Sequence, residues 1–136
     1  MRMTDLTAAI GLVQLKKLSE WNFIRRANAG YLTANLSKIK GVVTPKVREC
    51  AEHVFHQYTI RIPDRDNAAR KLKEKGIGVG IHYPTPIHQQ PFYKDLGYSD
   101  VLPVAEAASR EVLSLPVHPS LTKDDLDSII QAVASL

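Results

Sequence analysis

Gly80-Ile81-His82-Tyr83-Pro84-Thr85-Pro86-Ile87-His88-Gln89-Gln90-Pro91 gathers two histidines, a tyrosine and three prolines into one short stretch. Imidazole and phenol groups offer hydrogen bonds suited to hydroxyls or phosphate oxygens. The prolines stiffen their display, because each fixes its own φ and biases the preceding residue toward extended backbone. His82 and Tyr83 leave a predicted strand end together, and His88 follows six residues on, able to return to the same pocket. Rigid loops at strand ends are where binding groups concentrate. A structural turn with ordinary surface histidines is the competing account, and spacing alone does not separate the two.

The other candidate groups give less. His53 and His56 have a metal-like spacing only on a helix; on a strand, residues three apart point to opposite faces. His56 shares the apolar face of a period-two run with Tyr58 and Ile60, where a satisfied core histidine is the ordinary account. His118, between Val117 and Pro119, is read the same way. Gly76-Ile77-Gly78-Val79-Gly80 opens a strand, whereas a dinucleotide fingerprint needs its glycines between a strand and a helix N-terminus. Cys50 lies beside Glu49 and Glu52 with no adjacent basic group to activate a thiolate. No nucleophilic triad, carboxylate pair or metal cage is legible, so no catalytic residue and no metal ligand is assigned.

These groups need elements to hold them. Thr4 and Asp5 cap a proline-free run from Leu6 to Ile39, long enough for a break to be expected near Ser19–Asn22. Its first half is apolar or small nearly all round: Leu6, Ala8, Ala9, Ile10, Gly11, Leu12, Val13 and Leu15. Such a helix expects cover on more than one side. The second half is amphipathic, with Trp21, Ile24, Tyr31, Leu32 and Leu36 inward and Arg25, Arg26, Asn28 and Asn35 outward. Val42 to Pro45 reads as a short strand or extended linker. Period-two alternation predicts a strand from Glu52 to Ile62. Asp64 or Asp66 then caps a helix closing on Gly76, and a strand is predicted from Ile77 to Tyr83. A short helix near Pro91–Leu96, another from Pro103 or Val104 to Leu113, and a short strand at Leu115–His118 follow. Thr122 caps the last helix, with Asp124 and Asp125 in its first turn. The fold class is α+β: a small antiparallel or mixed sheet covered by helices, preceded by a long N-terminal helix.

A chain of 136 residues supports one core. Its net charge of +4 raises the question of nucleic acid, yet the cations are dispersed among acids and form no stripe with stacking aromatics. No apolar run approaches bilayer length, and the N-terminus lacks a signal-peptide pattern. The single cysteine excludes an internal disulfide and fits a reducing cytoplasm.

Four segments in order carry a family resemblance. They are Arg2-Met3-Thr4-Asp5-Leu6 with Ala8-Ala9-Ile10-Gly11-Leu12-Val13-Gln14-Leu15, then His53-Val54-Phe55-His56-Gln57-Tyr58, then Gly80-Ile81-His82-Tyr83-Pro84 through His88 to Pro91, and finally Leu113-Ser114-Leu115-Pro116-Val117-His118-Pro119. Together they resemble the C-terminal part of the DegT/DnrJ/StrS family of sugar aminotransferases, fold-type I enzymes that use pyridoxal phosphate. The likeness covers essentially the whole chain.

The resemblance implies transfer of an amino group, commonly from glutamate, to a keto-sugar attached to a nucleotide. It implies a homodimer with interfacial active sites, and a cofactor held by a lysine of a large domain. No lysine here lies in that motif, so no pyridoxal phosphate is expected on this chain alone, which is expected to be inactive. Residues 1–40 are then a helical segment leading to the large domain, and residues 41–136 the small domain. Substrate contact falls to His82 and Tyr83, with Pro84 shaping the loop, His88 returning to the pocket and His56 in its wall. The expected partners are the large domain or a second subunit and a nucleotide-sugar, with neither nucleic acid nor membrane. A stand-alone, non-catalytic module that binds a protein partner or a nucleotide-sugar is the alternative.

Overall fold

Thr4 has extended backbone, and its hydroxyl accepts the Thr7 amide at 3.4 Å, which satisfies one of the free donors of a helix start. Helix α1 then runs unbroken over Asp5–Leu36 in the computed structural model, which describes residues 2–136. At the usual rise it is about 48 Å long. The break expected near Ser19–Asn22 does not form, since that stretch holds no proline or glycine to interrupt the ladder.

The sheet pairs β1 (Tyr58–Arg61) with β2 (Val112–Leu115) antiparallel, with Tyr58 opposite Leu115 and Thr59 opposite Ser114. Single bridges extend it on both edges, Val43 to Arg61 and Gly80 to Ser114. Three strand expectations are thereby corrected. The run predicted over 52–62 pairs only from Tyr58, because Phe55 turns to φ +48° and gives its amide to the His53 imidazole at 2.9 Å. His56 therefore lies before the strand and is exposed, off the apolar face assigned to it. The run predicted over 77–83 meets the sheet through Gly80 alone. The strand predicted at 115–118 begins earlier, at Val112; Pro116, which has no N–H to donate, follows its last residue.

Helices α2 (Arg65–Glu74), α4 (Pro103–Glu111) and α5 (Lys123–Ala134) complete the layer over the sheet, and a short α3 (Pro91–Asp95) precedes α4. Asp64 stands at the start of α2 without making a side-chain cap bond. Gly76, at φ +79°, closes α2: its amide reaches the Lys73 carbonyl and the Ile77 amide the Leu72 carbonyl, both at 2.9 Å. Thr122 and Asp125 form a reciprocal capping box on α5.

The core is built from Leu32 and Leu36 of α1, Tyr58, Ile60 and Leu113 of the sheet, Leu72 of α2, and Ile129 and Val133 of α5. The second half of α1 is tied to it by polar bonds as well. Tyr31 donates to Asp127 at 2.6 Å, and Asn28, expected to face outward, is buried with its amide on the His118 carbonyl at 3.1 Å. Burial is tolerated because the amide has a partner. The first half of α1 has no such cover: Leu6, Ile10, Leu12, Val13 and Leu15 are each at least half exposed.

Several arginines are engaged within the fold. Arg26 pairs with Glu52, Arg61 with Glu111 and Arg70 with Glu74, while Arg25 donates to the Phe55 and His56 carbonyls. Among the described residues no helix is long and apolar enough to cross a membrane.

Candidate functional site

Strand alternation sends Tyr58 and Ile60 into the core and turns Thr59 and Ser114 to the other face, where their hydroxyls meet at 2.9 Å. Gly80 pairs with Ser114 through both backbone bonds, at 3.1 and 2.8 Å, and carries the chain over this polar spot. The His82 ring then folds back, with Nδ1 3.4 Å from the Ser114 hydroxyl. A side chain at position 80 would displace that ring: an added Cβ would lie 2.5 Å from His82 Cε1. Glycine at 80 thus leaves the space that the imidazole occupies in this position.

Beyond His82 the chain forms an arm, residues 84–101, that returns to the domain at α4. Tyr83 is 74% exposed, its ring edge-on to His82 at 5.7 Å between centroids. Ile87–Gln89 form a single 3-10 turn, and Pro91 stands at the first position of α3, where its missing N–H costs nothing. Tyr93 stacks edge-on against Phe92 and Tyr98, at 5.3 and 5.7 Å between centroids. Between arm and domain lies a cavity of about 570 Å³, walled by His82, Tyr83, His88, Tyr93, Tyr98 and Val112 among others.

The electrostatics of this cavity are specific. His88 Nε2 sits 3.2 Å from Glu106, and the same carboxylate oxygen accepts the Leu102 amide at 3.0 Å. Those bonds, the Leu102 amide first and His88 second, hold the Glu106 carboxyl below its ordinary range. Glu106 itself stands behind the wall; Asp100 is the carboxylate of the lining, and no lysine or arginine lines the cavity among the described residues. A second cavity of about 540 Å³ shares His82 with the first and is bordered by Ser114, His118, Asp125 and Ser128. His82 thus borders both open spaces.

Of the residues singled out from the sequence, His82, Tyr83 and His88 come together on the first cavity. Pro84 belongs to the same loop but stays outside the lining, and His56 lines neither cavity. Tyr93, Tyr98, Glu106 and Ser114 were not anticipated. Pro103 at the first turn of α4, with a glutamate just beyond it, was the one signal available for Glu106. Among the described residues no three His, Cys, Asp or Glu side chains assemble in metal-binding geometry.

The model of the DegT/DnrJ/EryC1/StrS aminotransferase family matches residues 1–134. The chain belongs to this family. Among the family's curated members it is 42% identical to a "Pleiotropic regulatory protein" of Geobacillus stearothermophilus, over 98% of this chain and 37% of that protein. It is 33% identical to the dTDP-3-amino-3,4,6-trideoxy-alpha-D-glucose transaminase of Streptomyces venezuelae, over 97% of this chain and 35% of that one. In three dimensions it matches S. venezuelae DesV, solved in complex with a ketimine intermediate, with a TM-score of 0.92 and 33% identity over 98% of this chain and 36% of DesV. The chain therefore spans little more than a third of the relatives it matches. The family's aminotransferases use pyridoxal phosphate. The cavity described here does not fit that cofactor by itself: it offers neither a lysine for a Schiff base nor a cation to face a phosphate, among the described residues.

Proposed function

We propose that this chain is the small-domain portion of a nucleotide-sugar aminotransferase and supplies one wall of its substrate site. The observation that carries the reading is the aromatic cavity framed by His82, Tyr83 and His88, in a chain whose relatives include dTDP-amino-sugar transaminases. On this reading His82 and Tyr83 contact the substrate, Pro84 holds the loop that presents them, and His88 closes the far side. The amino donor is an amino acid such as glutamate. No step through pyridoxal phosphate is assigned to this chain, and by itself it does not transaminate.

The lining also favours one part of such a substrate. Tyrosine faces and aliphatic side chains suit a neutral ring, whether sugar or base, whereas Asp100 and the lack of cations among the described lining residues disfavour a diphosphate. The phosphates would then be met by another part of the enzyme. The exposed first half of α1 has the character of a surface covered by that part, either the large domain or a second subunit of a homodimer. Relatives about three times as long as this chain are consistent with such a partner. A cytoplasmic setting accords with nucleotide-sugar chemistry and with the lone, exposed Cys50.

The test is titration of the isotope-labelled chain with a dTDP-sugar, followed by NMR. Shifts confined to the cavity lining and lost in His82→Ala are expected. Saturable binding at any other surface would overturn the assignment. Transamination by the chain alone, with pyridoxal phosphate trapped by borohydride on one of its lysines, would overturn the division of labour.

A further inference from the structure

The arm that forms the outer wall of the cavity is held to the domain in an unusual way. No residue of the 3-10 turn or of α3 is fully buried. The backbone bonds of residues 84–101 stay within the arm: Gln89 to Pro86, Tyr93 to Gln90, Gly97 to Lys94 and Tyr98 to Tyr93. Among the described residues, one side-chain hydrogen bond joins the arm to the rest of the domain, and it is His88 to Glu106 at 3.2 Å. The Glu106 oxygen that makes it also accepts the Leu102 amide, where the arm ends. One carboxylate oxygen therefore grips the arm near its beginning and at its return. Both partners are well covered, with 9% of the His88 side chain and 18% of the Glu106 side chain exposed.

We infer that Glu106 is a positioning residue: it clasps the arm through His88 and so sets the shape of the aromatic cavity. It need touch no substrate to do so. Through His88 and Leu102 it fixes the two ends of the segment that carries Tyr93 and Tyr98. The clasp rests on the reading of the cavity as a substrate wall only for its purpose, not for its existence.

The charged surroundings set how it responds to pH. His88 faces Glu106 from the 3-10 turn, Arg110 stands one turn along the same helix, and Asp100 and His82 share the cavity. Protonation of Glu106 removes the charge that strengthens both bonds, so the arm loosens as pH falls through the range below that of an ordinary carboxyl.

The experiment is amide hydrogen exchange of the full 136-residue chain at a series of acidic pH values, without ligand, in the wild type, Glu106→Gln and Glu106→Ala. Exchange is expressed relative to the amides of the buried strand pair Ile60 and Leu113 in the same molecule. The wild-type arm should lose relative protection as pH falls. Glu106→Gln keeps an acceptor oxygen but cannot titrate, so its arm should lose markedly less protection than the wild-type arm over the same pH range. Glu106→Ala should raise arm exchange about tenfold at neutral pH, the scale of one lost hydrogen bond. Identical pH profiles for the wild type and Glu106→Gln would overturn the clasp, whether or not the alanine variant folds. Because no ligand is present, failure to bind a nucleotide-sugar would count against the substrate reading alone.

Discussion

The Ser114 hydroxyl lies 3.4 Å from His82 Nδ1 while the Ser114 backbone exchanges both of its hydrogen bonds with Gly80, two residues before that histidine. One buried residue of β2 thereby positions both the strand edge and the ring that leaves it. Thr59, opposite Ser114 in register, steadies the hydroxyl from the other strand.

This arrangement makes Gly80→Ala a selective lesion. The new methyl would enter the space of the imidazole, 2.5 Å from Cε1, and His82 is exposed enough to swing away. The expected outcome is a displaced His82 ring, seen as altered imidazole signals in NMR, with a melting midpoint within a few degrees of wild type. Unchanged His82 signals would mean that the ring does not rest over Gly80.

Two leucines of α1 should behave in opposite ways. Leu36 is fully buried in the core, so Leu36→Ala should cost about 2–5 kcal/mol in urea unfolding. Leu12 is 65% exposed, and Leu12→Ala should change stability by only about 0.5 kcal/mol or less. Self-association should respond instead, with Leu12→Glu more monomeric in sedimentation. A large loss of stability in Leu12→Ala would show that the first half of α1 is covered within the monomer.

The cap of α5 makes a two-part prediction. Thr122→Ala removes the hydroxyl that accepts the Asp125 amide at 3.2 Å and should cost about 1 kcal/mol. Asp125 is held below its ordinary range chiefly by the Thr122 amide and then by the Thr122 hydroxyl. Its depressed folded value means that its contribution is complete above the unfolded carboxylate range and is lost as pH falls through the folded value. Acid unfolding curves of the wild type and Asp125→Asn should therefore converge as the pH is lowered. Curves that remain parallel would remove Asp125 from the account of acid stability.

At the alkaline end the sign reverses. Hydrogen bonding to Asp127 raises the Tyr31 phenol, and burial raises that of Tyr58, against a smaller lowering by Thr33. A folded state that keeps these protons longer than the unfolded chain is fully stabilised by them below the ordinary tyrosine range, near pH 10, and loses that stability as pH rises through the folded values. Tyr31→Phe should flatten the decline above pH 10, as followed by denaturant midpoints. An unaltered slope would assign the decline to other groups.

The sequence by itself determined what depends on neighbours along the chain. Thr4 and Thr122 as caps, Gly76 as a helix stop, Pro91 and Pro103 as helix starts, and the unsatisfied apolar surface of α1 all follow from local chemistry, and all stand. The loop with His82, Tyr83 and His88 was legible for the same reason, since residue type and proline spacing are local properties. Strand extent was not. A ladder forms only where a partner is present, and Phe55 and Ile77 lack one, whatever their alternation promised. Nor could the fate of Asn28 be read, because the carbonyl that permits its burial belongs to His118, far along the chain. Glu106 is the sharpest case. In sequence it is one acid in a helix; in space a single oxygen faces both a histidine and the amide of Leu102. The Leu102 bond is local to the start of α4, but only the tertiary structure brings His88 to the same oxygen, because that contact depends on distance in space while sequence records only distance along the chain.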